Sequence, residues 1–579
     1  MSGDRLTPWS SSVDTRLSES TLQHGSRQRR PEALDSELDD IHEVFRRARR
    51  ILHNLSAGPC ALPSEVLAYI FECLQPDWEP WADRWSEDNP VFHSGWMCIT
   101  HVCGLWRKVA LGVPSLWSKP TINVLSINHQ YIPDILLRSR TQPLDLEVDL
   151  CDMEDGIAQD PGLNAWLSPA VLRHTRRLTL ATNMDLITYA ASSFSENSER
   201  HFLTDLDVTT SDDSGNVDLP LPIRSLGNLS RLILCDCRIP WRQPLLTSLN
   251  MTHLELYGLR QHRPSYQDVA SLAGLSSLQV LELWDVVPYV DPGMNGQLPP
   301  IVLAGSLRRL RIHAVEQELG LDGLKFISCF HTPPGTSCEY VVAGAIRLVS
   351  EESIVDDICK RLLSILSFAG IESVEAHEMD MSRRRLRLVS NTQSIVNIFK
   401  ISRFRRLHPM RGFYMVLYLP AIAIERLHTL SIDVYIAYII KARALWSELL
   451  RAGGVRRLGF IKAKFQPSIL DFGVLLKALC HYRTVDPSSD TDELLPHLET
   501  LAIPFGNDAA AHADLIATLI DLVQTRQAKG RPLRELIIPR EADHWTLWST
   551  LRSVITITPI CYPVEDSPLT PDSFHSSTT

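Results

Sequence analysis

The residues best suited to chemistry are a short group of two thiols and one imidazole between positions 98 and 103. Cys98, His101 and Cys103 are of zinc-ligand types, but a structural zinc ion takes four protein ligands, and no fourth follows at a known spacing. Cys235 and Cys237 also lack partner ligands nearby in the sequence. Phosphate-binding glycine loops, nucleophile elbows and paired-histidine motifs are missing. We therefore expect no metal, no cofactor and no catalytic residue, so the chain is predicted not to be an enzyme.

Composition and charge narrow the class of protein. At 579 residues the chain exceeds the ~250–300 residues over which one hydrophobic core usually grows. Hydrophobic residues make up 44% and charged residues 22%, which is typical of folded proteins. The net charge of -11 argues against nucleic-acid binding, which needs a clustered basic surface. The composition therefore predicts a folded protein with more than one domain or a repetitive architecture.

The cellular location of the chain is predicted from the short length of its apolar segments. The first residues carry no apolar signal segment, and no apolar run approaches the ~18–20 residues that cross a bilayer. The densest run, Tyr414 to Ile424, is short and broken by Pro420. The twelve cysteines are scattered through the chain, a pattern typical of free thiols in a reducing compartment. We expect a cytoplasmic or nuclear protein that does not enter a membrane.

A polar tail over residues 1–33 is predicted to be disordered, and a helix is predicted over 34–55. Acidic residues fill the first half of this helix and arginines the second, an order that suits the helix dipole. Its apolar residues recur at spacings of three and four: Leu34, Leu38, Ile41, Phe45, Ala48 and Leu52. This narrow apolar seam fits either a short coiled coil or a helix docked on its own domain.

Residues 60–118 contain more apolar surface than a segment of that size can bury. Pro63 suits a helix start, and Leu67, Ile70, Phe71 and Leu74 mark one helical face. A linker with Trp78, Trp81 and Trp85 precedes a second helix, predicted from about Gly95. That helix carries two apolar stripes, one of Trp96, Ile99, Cys103, Trp106 and Ala110, the other of Val102, Leu105 and Val109. We expect a partner protein to cover the apolar surface that remains.

These residues resemble the F-box family. Leu62-Pro63-x-Glu65-x-Leu67-x-x-Ile70-Phe71 is similar to the family's opening, and Val102-Cys103-x-x-Trp106-Arg107-x-x-Ala110 to its central pattern. Pro114-x-Leu116-Trp117 is similar to the closing helix, and the flanking segments resemble F-box proteins abundant in mushroom-forming fungi. The linker between the first two helices is longer than in the family.

The resemblance implies a substrate-recognition subunit of a cullin–RING ubiquitin ligase. The helical module would bind the Skp-type adaptor and, through it, the cullin scaffold, while the region downstream recruits an unidentified target protein. The adaptor-binding residues expected on this basis are Leu62, Pro63, Leu67, Ile70, Phe71, Leu74, Val102, Cys103 and Trp106. The alternative is a non-catalytic interaction scaffold that has an F-box-like module and no role in ubiquitination.

A repeated L-x-x-L-x-L template, with other apolar residues allowed, runs through most of the chain. Its middle residue falls at positions 178, 206, 232, 254, 281, 310, 430, 458, 501 and 536. The intervals between 206 and 310 are typical of leucine-rich repeats, in which each short strand shares a core with its neighbours. His253 and His313 fall on predicted strands and are expected on the exposed face.

The predicted fold class is α/β, a small all-α helical module followed by an irregular solenoid with one strand and one helix per repeat. The predicted divisions are the tail 1–33, the helix 34–55, the module 60–118, a connecting segment 119–169, the repeats 170–540 and a tail 563–579. Between residues 313 and 426 the template is nearly lost, which indicates degenerate repeats or an insertion. Strands are still expected over 383–389 and 412–419.

Overall fold

The computed structural model describes most of the chain and divides it into two compact units, Met1–Leu178 and Thr179–Thr579. Each unit is a mixture of helices and strands, as the α/β prediction requires. The residues described are 30–56, 58, 62–83, 91–120, 123–150, 161–194, 202–210, 218–258, 262–289, 298–315, 320–345, 349–367, 376–381, 385–390, 394–405, 415–461, 472–481, 493–505 and 512–561.

The helices of the first unit are the predicted N-terminal helix, a group of three around the predicted module, and three beyond it. They are α1 (Arg30–Ser56), α2 (Ser64–Leu74), α3 (Gly104–Gly112), α4 (Pro114–Ser118), α5 (Ile132–Ser139), α6 (Pro161–Trp166) and α7 (Pro169–Leu172). The second unit contains α8 (Met184–Ser192), α9 (Leu221–Arg224), α10 (Tyr266–Ala270), α11 (Gly320–Ile327), α12 (Val349–Leu366), α13 (Val434–Ala442), α14 (Trp446–Leu450), α15 (Phe472–His481), α16 (Ala513–Ala528) and α17 (Trp548–Leu551).

The strands are short in the first unit and numerous in the second. They are β1 (Trp81–Asp83), β2 (Val91–His93), β3 (Leu144–Asp149), β4 (Thr175–Thr182), β5 (Asp205–Thr210), β6 (Arg231–Cys235), β7 (His253–Tyr257), β8 (Val280–Trp284), β9 (Ile301–Val302), β10 (Arg309–Ala314), β11 (Phe330–His331), β12 (Ser337–Ala345), β13 (Ala376–Met381), β14 (Arg385–Ser390), β15 (Val396–Arg405), β16 (Thr429–Asp433), β17 (Arg457–Ile461), β18 (Thr500–Ala502), β19 (Glu535–Pro539) and β20 (Thr556–Ile560). No helix in the ranges described is long and apolar enough to span a bilayer.

The core of the first unit's helical module is built from tryptophans. The rings of Trp96 and Trp117 meet edge to face with centroids 5.2 Å apart, and both side chains are buried. Each indole N–H is satisfied, Trp117 donating to the Ala110 carbonyl at 2.8 Å and Trp96 to the Pro120 carbonyl at 2.9 Å. A buried indole usually finds such a partner, since an unpaired N–H would lose its hydration without compensation. The module therefore has a well-defined core of its own.

One large sheet dominates the second unit. Strands β5 to β8, β10 and β12 pair in parallel in chain order, and β16 to β20 do the same. The pairing keeps one buried residue of each strand in register: Leu206, Leu232, Leu254, Leu281 and Leu310. Every copy of the template predicted from the sequence carries a strand, with its middle residue buried. Alternate side chains of a strand point to one face, so this spacing fixes the buried face locally.

The segment between residues 313 and 426, where the template is nearly lost, contains an antiparallel strand. β14 lies between β13 and β15 and is antiparallel to both, whereas β12 pairs with β15 and β13 with β16 in parallel. This favours the insertion over degenerate repeats, and the strand expected over 383–389 is β14. The prediction of a strand over 412–419 is wrong for residues 415–419, which the structure describes. A 3₁₀ helix over Met415–Ala421 takes its place, with Pro420 inside it.

The connections between strands are more varied than the predicted single helix per repeat. The connection from β6 to β7 contains only a short 3₁₀ helix, Pro244–Leu246, while β12 and β13 are joined through the long α12. The helix expected over 514–523 is the central part of α16, and the one over 270–275 is the end of α10 and the 3₁₀ helix Ser271–Gly274. A 22-residue interval leaves little room for an α-helix beside a strand and two turns, which explains the shorter connections.

Several predicted boundaries need correction. Residues 30–33, assigned to the disordered tail, begin α1, while residues 1–29 and the tail 563–579 lie outside the described residues. The connecting segment 119–169 contains α5 and β3, and β3 begins with a bond from the Leu144 N–H to the His174 carbonyl. The strand pattern also extends past residue 540 to β20. These strands escaped the template because their apolar residues do not follow its spacing.

Candidate functional site

Helix α2 has two apolar faces, and only one is used by the module. Leu67 and Phe71, one turn apart, are fully buried. Val66, Tyr69, Ile70 and Cys73 follow the spacing i, i+3, i+4, i+7 and form a second face. Val66 is 42% exposed and Tyr69 is 68% exposed. The opposite flank carries Glu65 and Glu72, so this exposed apolar face has a polar margin.

The buried face of α2 holds the helix firmly on the module. The rings of Phe71 and Trp106 meet edge to face with centroids 5.2 Å apart, which joins α2 to α3. At the end of α2, the Gln75 amide donates to the Leu116 carbonyl at 3.0 Å and also to the Lys119 carbonyl. Helix α2 therefore presents its exposed face from a fixed base, and such preorganisation lowers the entropic cost of binding a partner.

The nine residues expected to bind the adaptor fall into three groups. Leu67 and Phe71 are buried within the module, so they support α2 from beneath and offer no surface to a partner. The half-buried members are Ile70, Cys103 and Trp106, and the exposed members are Leu62, Pro63, Leu74 and Val102. The structure thus brings Ile70, Leu74 and Leu62 to the exposed side of α2 or its edge.

Sequence reasoning missed Val66 and Tyr69. The predicted face was centred on Leu67 and Phe71, and these residues proved to be the buried stripe of the helix. The sequence does contain a signal for this exposed face. Val66 and Tyr69 belong to a second set of apolar residues about 100° around the helix from the first set. We define the α2 surface as Leu62, Val66, Tyr69, Ile70 and Leu74.

The predicted second helix is broken into two pieces. Residues Gly95–His101 form a 3₁₀ helix, and α3 begins only at Gly104. Between them Cys103 is extended, with φ -158° and ψ 169°, and its sulfur accepts a bond from the Trp106 N–H at 3.4 Å. Cys103 is therefore the N-cap of α3, and Val102 at the break is 59% exposed. Because the helix is interrupted here, the first amides of α3 have no intrahelical carbonyl partner, and the Cys103 sulfur accepts from one of them.

In the tryptophan-rich linker the described residues form two short strands, β1 and β2, which pair in antiparallel fashion. Trp81 pairs with His93 across the ladder, and their rings stack with centroids 3.8 Å apart. Gly95, at φ +50°, follows β2, and a Cβ there would overlap the backbone of Glu79 and Pro80. Glycine is required at that turn for both reasons. Trp85 lies outside the described residues, while Trp78 and Trp81 are exposed.

The thiols considered as metal ligands lie in different environments, and Cys103 has a structural role. Cys98 lies in the 3₁₀ helix, where burial raises the pKa of its thiol. Cys103 caps α3, and His101 is exposed. In the second unit, burial raises the pKa of Cys235 and of Cys237 to about 12. Among the residues the structure describes, no group of three His, Cys, Asp or Glu side chains is arranged to hold a metal.

A second candidate surface is the solvent-facing side of the strands in the second unit. One row across this face contains Glu255, Glu282, Arg311 and Glu339, which are neighbours in register. Arg311 donates to Glu282 at 3.1 Å and pairs with Glu339 at 3.0 Å. The row carries three carboxylates and one arginine, so its net charge is negative.

Two carboxylates of this row, Glu255 and Glu339, have pKa values lowered by their neighbours. A hydrogen bond from His253 at 3.0 Å, helped by Arg231, lowers the pKa of Glu255. His313, whose Nε2 lies 3.6 Å from a carboxylate oxygen of Glu339, lowers the pKa of Glu339 together with Arg311. Both histidines lie on the face of the sheet opposite the buried leucines, as predicted, but they are half-buried there, with side chains 23% and 11% exposed beside Glu255 and Glu339.

The next row across the same face is aromatic. The rings of Tyr257 and Trp284 stack, with centroids 5.5 Å apart and planes at 10° to each other. The ring centroids of Trp284 and His313 are 3.9 Å apart. The three residues are neighbours in register on β7, β8 and β10. We call this cluster and the acidic row beside it the sheet surface. Sequence reasoning assigned no binding role to it, although its residues alternate with the buried leucines along each strand.

Comparison of the sequence with models of protein families gives no match, and comparison with curated proteins gives none either. The candidate sites are therefore interpreted from their geometry and from the motifs quoted above.

Proposed function

We propose that the chain is an F-box adaptor protein, the substrate-recognition subunit of a cullin–RING ubiquitin ligase. Its helical module over residues 60–118 binds the Skp-type adaptor, and the second unit recruits a target protein. The chain itself performs no catalysis and holds no cofactor. It acts in the cytoplasm or nucleus, where such a ligase would meet its target.

One observation carries this proposal: a short helix keeps an apolar face exposed although its own module already has a complete core. Val66 and Tyr69 lie exposed on α2, while Leu67 and Phe71 on the other side fill the core. Exposed apolar residues grouped on one side of a fixed element are typical of protein interfaces. The motif residues around Pro63, Cys103 and Trp106 connect this surface with the F-box family.

The second unit supports a role in target recruitment. From β5 to β10 its parallel strands pair in chain order at intervals expected of leucine-rich repeats, and we interpret the unit as an irregular solenoid of that type. The sheet surface offers aromatic rings beside paired charges, a combination enriched in binding hot spots. We propose that the target contacts the sheet surface around Trp284.

The competing function is an interaction scaffold that binds the adaptor, or another partner, without ubiquitination. The same α2 surface would serve both roles, so the interface alone does not separate them. Proximity labelling of the full chain with and without proteasome inhibition separates them. A receptor should label proteins that accumulate only when the proteasome is blocked, whereas a scaffold should label the same set in both conditions.

The adaptor interface is tested by co-precipitation of the Skp-type adaptor and cullin with the full chain. We expect Val66→Glu with Tyr69→Glu to abolish capture, because two buried charges at an apolar interface would lack partners. Leu137→Glu is the matched control, since Leu137 is 76% exposed on α5 and lies outside the α2 surface. Capture by the double variant equal to that of the unsubstituted chain would refute the interface, as would failure of the unsubstituted chain to capture the adaptor.

A further inference from the structure

Helix α1 carries an exposed apolar seam that the proposed function does not use. It spans Arg30–Ser56, 27 residues, so it is about 40 Å long. Leu38 is 40%, Phe45 56% and Leu52 68% exposed, although they recur on one face at intervals of seven. Val44 and Ile51, also seven apart, are exposed beside them. A seam of this period on a helix this long is typical of a coiled coil.

The charges of α1 are separated along its length. The N-terminal half contains Asp35, Asp39, Asp40 and Glu43, and the C-terminal half contains Arg46, Arg47 and Arg49, all exposed. Two parallel copies would bring acid next to acid and base next to base. Two antiparallel copies would instead place each acidic half beside a basic half. Opposite charges brought side by side favour that orientation, and like charges oppose the other; of these residues, Asp35 and Arg49 flank the seam itself.

The seam residues also match in the antiparallel arrangement. In heptad terms Leu38, Phe45 and Leu52 occupy a positions, and Ile41 and Ala48 occupy d positions. With two copies centred on residue 43, each a position meets a d position of the other copy. Leu38 then lies opposite Ala48, and Ile41 opposite Phe45, so that larger and smaller side chains alternate along the seam.

We propose that α1 is a self-association element, in which two copies of the chain pair through antiparallel α1 helices centred on Glu43. Val44 of one copy lies beside Val44 of the other next to the two-fold axis. Asp35 of one copy faces Arg49 of the other, because both flank the seam on the same side. The occupant of the seam is therefore a second copy of this chain. The inference does not rest on the proposed function.

The first experiment measures the mass of the full chain and the position of the contact. Sedimentation should give a species of twice 65.3 kDa that dissociates on dilution, because about three heptads form a weak coiled coil. In a background in which Cys60, Cys73, Cys151 and Cys561 are replaced by Ser, a short bis-maleimide should cross-link Val44→Cys into dimers. The control is Glu43→Cys, at the same level on the outer side of the helix, which should cross-link far less. A chain of 65.3 kDa at all concentrations, or equal cross-linking at both positions, would overturn the proposal.

The second experiment tests the orientation through a charge exchange. Asp35→Arg alone and Arg49→Asp alone should each raise the dimer dissociation constant several-fold, since each places like charges opposite one another. The chain with both substitutions should return towards the original constant, because the pair is restored with its signs reversed. In a parallel pair Asp35 and Arg49 never meet, so absence of this rescue would contradict the antiparallel arrangement.

Discussion

At the scale of single residues, the two sides of α2 separate stability from binding. Phe71 is buried against Trp106, whereas Tyr69, two positions earlier, is largely exposed. Burial of an aromatic ring contributes several kcal/mol to folding, while an exposed ring contributes little until a partner covers it. The two aromatic residues of one helix therefore have different expected roles.

We predict that Phe71→Ala destabilises the helical module by about 3–5 kcal/mol, the usual loss for a buried aromatic ring. Tyr69→Ala should change stability by less than about 0.5 kcal/mol, as expected of an exposed position. Native-state hydrogen exchange of the α2 amides measures both, since a chain of this size does not unfold in two states. Equal exchange rates in the two variants would contradict the assignment of the faces.

At the scale of elements, the strands were predictable and their exceptions were not. The template places a buried residue at every second position, and this local requirement located ten strands, among them β6 and β17. The antiparallel β14 depends on partners far away in the sequence, which a local pattern does not specify. In helix α2, apolar type alone could not separate the buried Leu67 from the exposed Val66. The break at Cys103 depends on the capping bond of its sulfur.

The sheet surface has an expected pH dependence. The pKa values of Glu255 and Glu339 are lowered in the folded chain, so their ionised forms stabilise it. This stabilisation is complete above the unfolded-state pKa, near 4.5, and is lost as the pH falls through the lower folded-state values. We predict that the urea concentration at the unfolding midpoint of the second unit decreases as the pH is lowered below about 4.5.

Glu255→Gln with Glu339→Gln should lower the midpoint at neutral pH and flatten its fall in acid. Exchange of the β7 and β10 amides reports on this unit within the full chain. The matched control is Glu65→Gln, at an exposed site in the first unit, which should leave both unchanged. An acid profile of the double variant identical to that of the unsubstituted chain would contradict the role given to these two carboxylates.

At the scale of the whole molecule, the chain divides between a unit with a helical module and a unit built on one extended sheet. The division falls near Leu178, well beyond the predicted end of the module at residue 118, because β3 and α5 belong to the first unit. Each unit carries its own candidate surface, the α2 surface in one and the sheet surface in the other. Separate surfaces for a ligase adaptor and a target are what a substrate receptor requires.

The most direct measurement is a titration of the purified full chain with purified Skp-type adaptor. The proposal predicts saturable binding of one adaptor per chain, and a loss of about 100-fold in affinity on Val66→Glu with Tyr69→Glu, or about 2.7 kcal/mol. Leu137→Glu should bind like the unsubstituted chain. No measurable binding by the unsubstituted chain, or equal affinity of the double variant, would contradict the assignment of the α2 surface.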